Sequence, residues 1–347
     1  EGTNLAFGVE HRLENYRIFA GEEASWRTYG PVLFSADSIF ENGQFVGIDS
    51  VFRPGGAQGF PGFGPQNEVN KSRTNLGAYA DVEMDLTSRY TLAVAGRVGR
   101  YSDFGNTLNG KVAMRYKFSE KFALRASGST GFRAPSLAQV NFNSVYTDFV
   151  SGVAVDKFLA ANGSNITRAL GIPALKQETS LNLGLGATLN LFDFNVSLDA
   201  YHIKIEDRIV LTGDFYADDP DIGDELRALN VGSARFFANA INTSTTGLDL
   251  VLSRMFSFGN DSRLNVVLAA NYNDMKIDAV NVSGKLTGKE DFFLSNRERL
   301  FILASAPPLK GNLSLNYQKG RYGVNLRTTY FDQITLEDYV GELDVYD

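Results

Sequence analysis

The segment 107–118 reads TLNGKVAMRYKF, and its residues sort by parity. Leu108, Val112, Met114, Tyr116 and Phe118 fall on one side of an extended chain, and Asn109, Lys111, Arg115 and Lys117 on the other. Successive side chains of a strand point to opposite faces, so this rhythm predicts a β-strand with one apolar and one polar face.

The next segments repeat it. In 121–130, Phe122, Leu124 and Ala126 alternate with Lys121, Arg125, Ser127 and Ser129. In 179–190, Leu181, Leu183, Leu185, Ala187 and Leu189 alternate with Ser180, Asn182, Gly184 and Gly186. The pattern recurs near 4–13, 74–86, 90–101, 194–209, 245–256, 262–277, 311–318 and 321–331, which makes about eleven strands of roughly 9–15 residues.

Alternation alone suits a soluble sandwich as well as a membrane wall. Three features favour the membrane. Strands of this length match the roughly 9–11 residues that a tilted membrane strand needs, whereas soluble strands average about 5–6. Aromatic residues gather at strand ends (Tyr116, Phe118 and Phe122; Phe192 and Phe194; Phe256 and Phe258; Tyr317 and Tyr322), as in an interfacial girdle. The connections also sort by parity. Short turns at 87–89, 119–120, 192–193, 257–261 and 319–320 alternate with long segments near 15–72, 132–176, 211–243 and 278–309, and 102–106 is a short member of the long class. Short periplasmic turns and long outer loops are the rule for outer-membrane barrels. Hydrocarbon leaves no unpaired backbone group unpunished, so sheet spans a bilayer only as a closed cylinder. Eleven strands are therefore expected to be part of a larger barrel, with the single domain over 1–347 incomplete at both ends.

Several phrases carry a family resemblance. GFRAPSL (131–137) stands where a strand enters a long loop that returns through LKQETSLNLGLG (175–186). FPGFGP (60–65), NLGAYADVEMDL (75–86), YHIKIEDRIV (201–210) and TTGLDLVLSR (245–254) occur in matching order. The chain resembles the TonB-dependent outer-membrane receptors over nearly its whole length. The resemblance implies a 22-stranded barrel plugged by an N-terminal domain, and uptake of a scarce solute such as an iron-siderophore complex, cobalamin or an oligosaccharide. It also implies partners: outer-membrane lipid, the plug of the same protein, and a TonB complex that acts through an N-terminal segment. The plug and the energy-coupling segment are not in this sequence.

Composition narrows the remaining classes. Cysteine is absent, and His11 and His202 are the only histidines, far apart. Thiol chemistry, a His-dependent triad and a Cys/His metal centre have little to be built from. No catalytic residue, metal or cofactor is expected. The net charge of −7 argues against nucleic acid. GRVGR (96–100) lacks the lysine and Ser/Thr of a phosphate loop and is read as strand.

Candidate ligand residues come from the long loops. Phe142, Tyr146 and Phe149 lie among Asn141, Asn143 and Asp148, a set suited to stacking on a sugar or catecholate, with packing of the loop on itself as the competing reading. Arg235, Phe236 and Phe237 near a strand start carry the same two readings, and girdle or loop packing is preferred for them. Arg97, Lys111, Arg115, Lys117 and Arg125 are expected on the lumen side, to guide an anionic solute or to pair with carboxylates of the wall or plug. The acidic run DFYADDPDIGDE (214–225) lacks calcium-loop spacing and is read as a solvated loop. A passive porin is the alternative function; a barrel enzyme and a soluble all-β domain are weaker ones.

Overall fold

The computed structural model describes residues 2–27, 33–41, 43–52, 56, 61–150, 153–228, 232–259, 261–282, 284–338 and 341–346. Eleven long antiparallel strands form one wall: β1 Thr3–Ile18, β2 Val69–Asp85, β3 Tyr90–Tyr101, β4 Gly105–Ser119, β5 Phe122–Arg133, β6 Glu178–Leu191, β7 Phe194–Leu211, β8 Ser233–Phe258, β9 Ser262–Val280, β10 Leu309–Lys319 and β11 Tyr322–Phe331. Each pairs with the next in the order β1 to β11, and β1 and β11 are the two open edges of the described wall. The strands foreseen from periodicity are all present. Several run farther on the outer side: β8 begins at Ser233 rather than near 245, and β1 continues to Ile18. The outer loops carry small hairpins, Leu33–Glu41 with Gln44–Phe52 and Ser144–Val150 with Val153–Ala160. One-turn helices occupy Asn165–Ala169 and Gly223–Ala228.

The pairing register places the apolar residues of all strands on one face. Leu183 stands opposite His202 and Gly128, Leu185 opposite Ala200 and Ala126, and Val94 between Val82 and Val112. Leu183, Leu185, Val112 and Leu108 are exposed, Leu108 by 79%. A water-facing monomer rarely leaves so continuous an apolar surface open, and lipid is its natural solvent. The short turns carry the lower girdle: Tyr116 contacts Tyr90 and Phe118 (centroids 6.4 and 4.8 Å), and Phe118 stacks on Phe122 (5.2 Å). Arg254 lies over Phe194 and Phe256 at 4.9 and 4.6 Å, an amphipathic anchor of the kind that snorkels to an interface. From Tyr90 to Arg100 is roughly 33 Å of strand, or about 25 Å of height at a tilt near 40°, the thickness of a barrel's apolar band.

Beyond that band the wall reverses its polarity. On the outer reach of β7 to β9, Lys204, Glu206, Ser244, Lys276 and Asp278 take the lipid-side parity, and the apolar Ile205 and Ile277 take the inner one. Water now lies outside, and the apolar side chains turn to a core built by the loops. That core buries Leu170, Ile172, Val210, Phe215, Ile222, Leu226, Phe236, Ile241, Leu286 and Phe293. A bulge at Ile205–Ile209, with Asp207 at φ 55°, and a register shift at Asn242/Thr243 bend β7 and β8 into it.

Candidate functional site

On the inner face the side chains opposite the leucines meet one another. Arg97 donates to Glu10 (2.9 Å), and Arg125 donates through Nε to Asp199 (2.8 Å) and through Nη2 to Ser197 (2.8 Å). The wall makes room for large inner groups by setting glycine beside them. A Cβ on Gly8 would lie 2.8 Å from the Tyr79 ring, and one on Gly247 would collide with Tyr201. Tyr201 in turn shares Asn271 with Asp249, at 3.2 and 2.6 Å. Lys111, Arg115 and Lys117 lie on the same face, Arg115 directly across from Arg125. These three cations form no ion pair among the described residues. Together with Glu83, Asp85, Arg125, Asp199 and Asp249 they line a recess of about 770 Å³.

At the outer crest the sequence phrases meet. Arg133 of GFRAPS stands in register with Glu178 of KQETS, and its Nε donates to that carboxylate at 2.9 Å. Glu178 is buried, and it also accepts the amide of Ile209 at 2.8 Å, beyond the end of the β6–β7 ladder at Thr179 and Glu206. Pro135 ends the ladder, and its carbonyl accepts from buried Arg73 at 2.7 Å, which also binds Asp103 at 2.6 Å. Ser136 caps the helix Leu137–Asn141, accepting from the Gln139 amide at 3.0 Å. Asn239 holds Lys176 and Asp207 through backbone bonds of 2.7–2.9 Å. These contacts aim the loops.

The aromatic candidates separate. Phe142 follows that helix and meets Phe63 of FPGFGP edge-on at 5.9 Å, while Asn67 donates to Asn143 at 2.8 Å. Both rings keep part of their surface open, Phe63 38%. Tyr146 and Phe149 belong to the strand Ser144–Val150, but their side chains lie outside the described residues. Phe236 takes the packing reading of its two and not the ligand one: it is wholly buried, stacked on Phe215 at 5.3 Å and edge-on to Phe293 at 6.0 Å, so it packs the loop core and offers no surface to a solute. Arg235 neighbours it at the parallel pairing with Leu159. His202 faces outward and shares a hydrogen bond with Thr246 at 2.9 Å.

The acidic run is also not the freely solvated loop expected. Asp214 binds Lys157 (2.8 Å), Asp219 and Asp221 bind Lys289 (2.8 and 2.9 Å), and Glu225 binds Lys285 (2.6 Å). Burial alone would raise the Asp219 carboxyl, but the Lys289 ammonium and the amides of Asp221 and Ile222 outweigh it and hold it below the ordinary range. Lys289 is raised in turn, chiefly by its hydrogen bond to Asp219. The lysines come from partners 57–70 residues away in the chain, which adjacent sequence does not reveal. No cluster of three or more His, Cys, Asp or Glu able to hold a metal occurs among the described residues.

The fold has solved relatives. It is similar to a variant of the ferric enterobactin receptor of Pseudomonas aeruginosa, at TM-score 0.59 and 15% identity, covering 99% of this chain and 42% of that one. It is also similar to the siderophore receptor PirA of the same organism, at TM-score 0.51 and 17% identity, covering 76% of this chain and 41% of that one. A stretch of 139 residues is 27% identical to the iron-regulated outer membrane virulence protein of Vibrio cholerae, covering 40% of this chain and 19% of that protein. The chain thus spans about two fifths of these solved receptors and a fifth of the Vibrio protein. The profile described as TonB dependent receptor-like, beta-barrel matches residues 3–346. With a wall of eleven hairpin-linked strands, a lipid-side belt and sorted loops, this chain belongs to the β-barrel domain of the TonB-dependent outer-membrane receptors.

Proposed function

We propose that this barrel serves energised uptake of an anionic iron chelate of the siderophore class. The observation that carries the reading is the inner column Lys111, Arg115 and Lys117, three cations without a counter-ion among the described residues, beside a recess of solute size. Glu83, Asp85, Asp199 and Asp249 line the same recess, so the attraction for an anionic solute is local to the unpaired cation column and not a net charge of the recess. The siderophore receptors among the solved relatives and the iron-regulated Vibrio protein support the same class. The part-exposed pair Phe63 and Phe142 would meet an aromatic chelate at the crest. A plug domain and a TonB complex are the proposed partners, one filling the barrel and the other supplying the work.

The test is uptake of radiolabelled iron by a deletion strain carrying the wild-type gene or its Lys111→Glu/Arg115→Glu form. Wild type should restore uptake from an anionic chelate, and the double reversal should lower it about tenfold or more. Restored uptake of cobalamin, oligosaccharide or peptide instead would move the substrate class. Steady ion conductance of the intact protein in a planar bilayer would favour a passive porin.

A further inference from the structure

We infer that the outer, lipid-side face of β1 to β4 carries a site for one phosphorylated, acylated lipid of the outer leaflet. Here the belt is grooved. Row by row, Val9, Ala78, Val98 and Leu108 stand side by side, and above them His11, Leu76, Arg100 and Asn106. Ala78 forms a low floor between taller Val9, Val98 and Leu108, and the cross-strand pair Gly77 and Gly99 adds no bulk behind it. The groove has a volume of about 670 Å³ and contains Val9, Leu76, Val98 and Leu108 as its apolar walls. That is within the roughly 300–1,000 Å³ of small-molecule sites.

Arg100 closes its outer end. Its guanidinium is exposed and forms no ion pair or hydrogen bond among the described residues. Elsewhere on this face Lys204 binds Glu206 at 2.8 Å and Lys276 binds Asp274 at 3.0 Å, and the exposed Arg17 stands on β1 beyond His11, above the groove rather than at its mouth. An uncompensated, permanently charged fork at the membrane surface, above an apolar trench running towards mid-bilayer, matches an amphiphile with its anionic head up and its chain down. Guanidinium binds phosphate oxygens in a bidentate manner, which selects a phosphorylated head. The second groove of this face, about 470 Å³ beside Phe132 and Leu181, ends at the Lys204–Glu206 pair and lacks net charge for such a head.

The test is retention of radiolabelled lipid by the protein in detergent micelles after gel filtration. The probes are a diphosphorylated, acylated glucosamine disaccharide and phosphatidylcholine. Wild type should keep about one diphosphorylated lipid per chain and little phosphatidylcholine. Arg100→Glu, and Ala78→Phe, which fills the trench, should each lower retention about tenfold, and Arg100→Lys, which keeps the charge but loses the bidentate fork, should fall between them and wild type. Lys204→Ala should leave it unchanged. Each variant is first shown to be folded by its resistance to unfolding in unheated gel samples. Equal retention of both lipids by wild type, full retention by Arg100→Glu and Ala78→Phe, or displacement by free inorganic phosphate would overturn the site.

Discussion

Leu183 and Asn182 are neighbours in the chain with different solvents. Leu183 is exposed on the lipid side, while Asn182 turns inward and donates to Ser180 at 3.2 Å. Leu183→Arg should therefore cost about 2–4 kcal/mol in a lipid-folding titration, and Asn182→Arg far less. Equal losses would contradict the facing. Glu178 offers a second test at this scale. It neutralises Arg133 and caps the amide of Ile209 with one carboxylate. Glu178→Ala leaves the buried Ile209 amide without its acceptor, while the half-exposed Arg133 is rehydrated, and should cost about 1–3 kcal/mol in the same titration; Glu178→Gln, which still accepts the amide bond, should cost less.

The elements differ in how they respond to pH. The loop clasp of Asp219 with Lys289 joins the segment after β7 to that after β9. The folded carboxyl lies below its unfolded value, so its stabilisation is complete above about pH 4 and fades as pH falls through the lower folded value. The folded ammonium lies above its own, so its share is complete below about pH 10 and fades as pH rises through the higher one. The melting temperature of the loop cap, followed by near-ultraviolet ellipticity, should be flat across neutral pH and fall at both extremes, and Lys289→Met should remove those flanks. A slope centred near pH 7 would rule out this clasp as the titrating element. Phe236→Ala should loosen the same cap by about 3–5 kcal/mol, seen as faster proteolysis between 157 and 228 with the wall intact. The strands and turns of the wall were legible in the sequence because period two and loop parity are local signals. The cap was not, because Phe215 from the segment after β7, Phe236 from the start of β8 and Phe293 from the segment after β9 meet only in the fold. A local signal for the outer overhangs did exist. Lys204, Glu206, Lys276 and Asp278 have the parity of the leucines below them, which marks where lipid ends.

For the whole molecule, the long strands belong to two solvents in succession. Below Arg100 and His202 the wall is a lipid-facing stem with a charged interior, and above them it is a water-facing collar around an apolar loop core. The candidate site follows this division, with inner cations in the stem and open rings at the crest. Because the change of solvent is written along each strand, the chain carries its own depth gauge. Sliding the wall inward by two residues would sink Lys204 and Glu206 into hydrocarbon, and sliding it outward would strand Leu183 and Leu76 in water. A bilayer thicker or thinner than the band between the Tyr90 row and the Arg100 row must therefore deform around this protein, at a modest penalty for each ångström of mismatch. Membrane thickness, a property no residue of the barrel binds, thereby becomes something the fold selects.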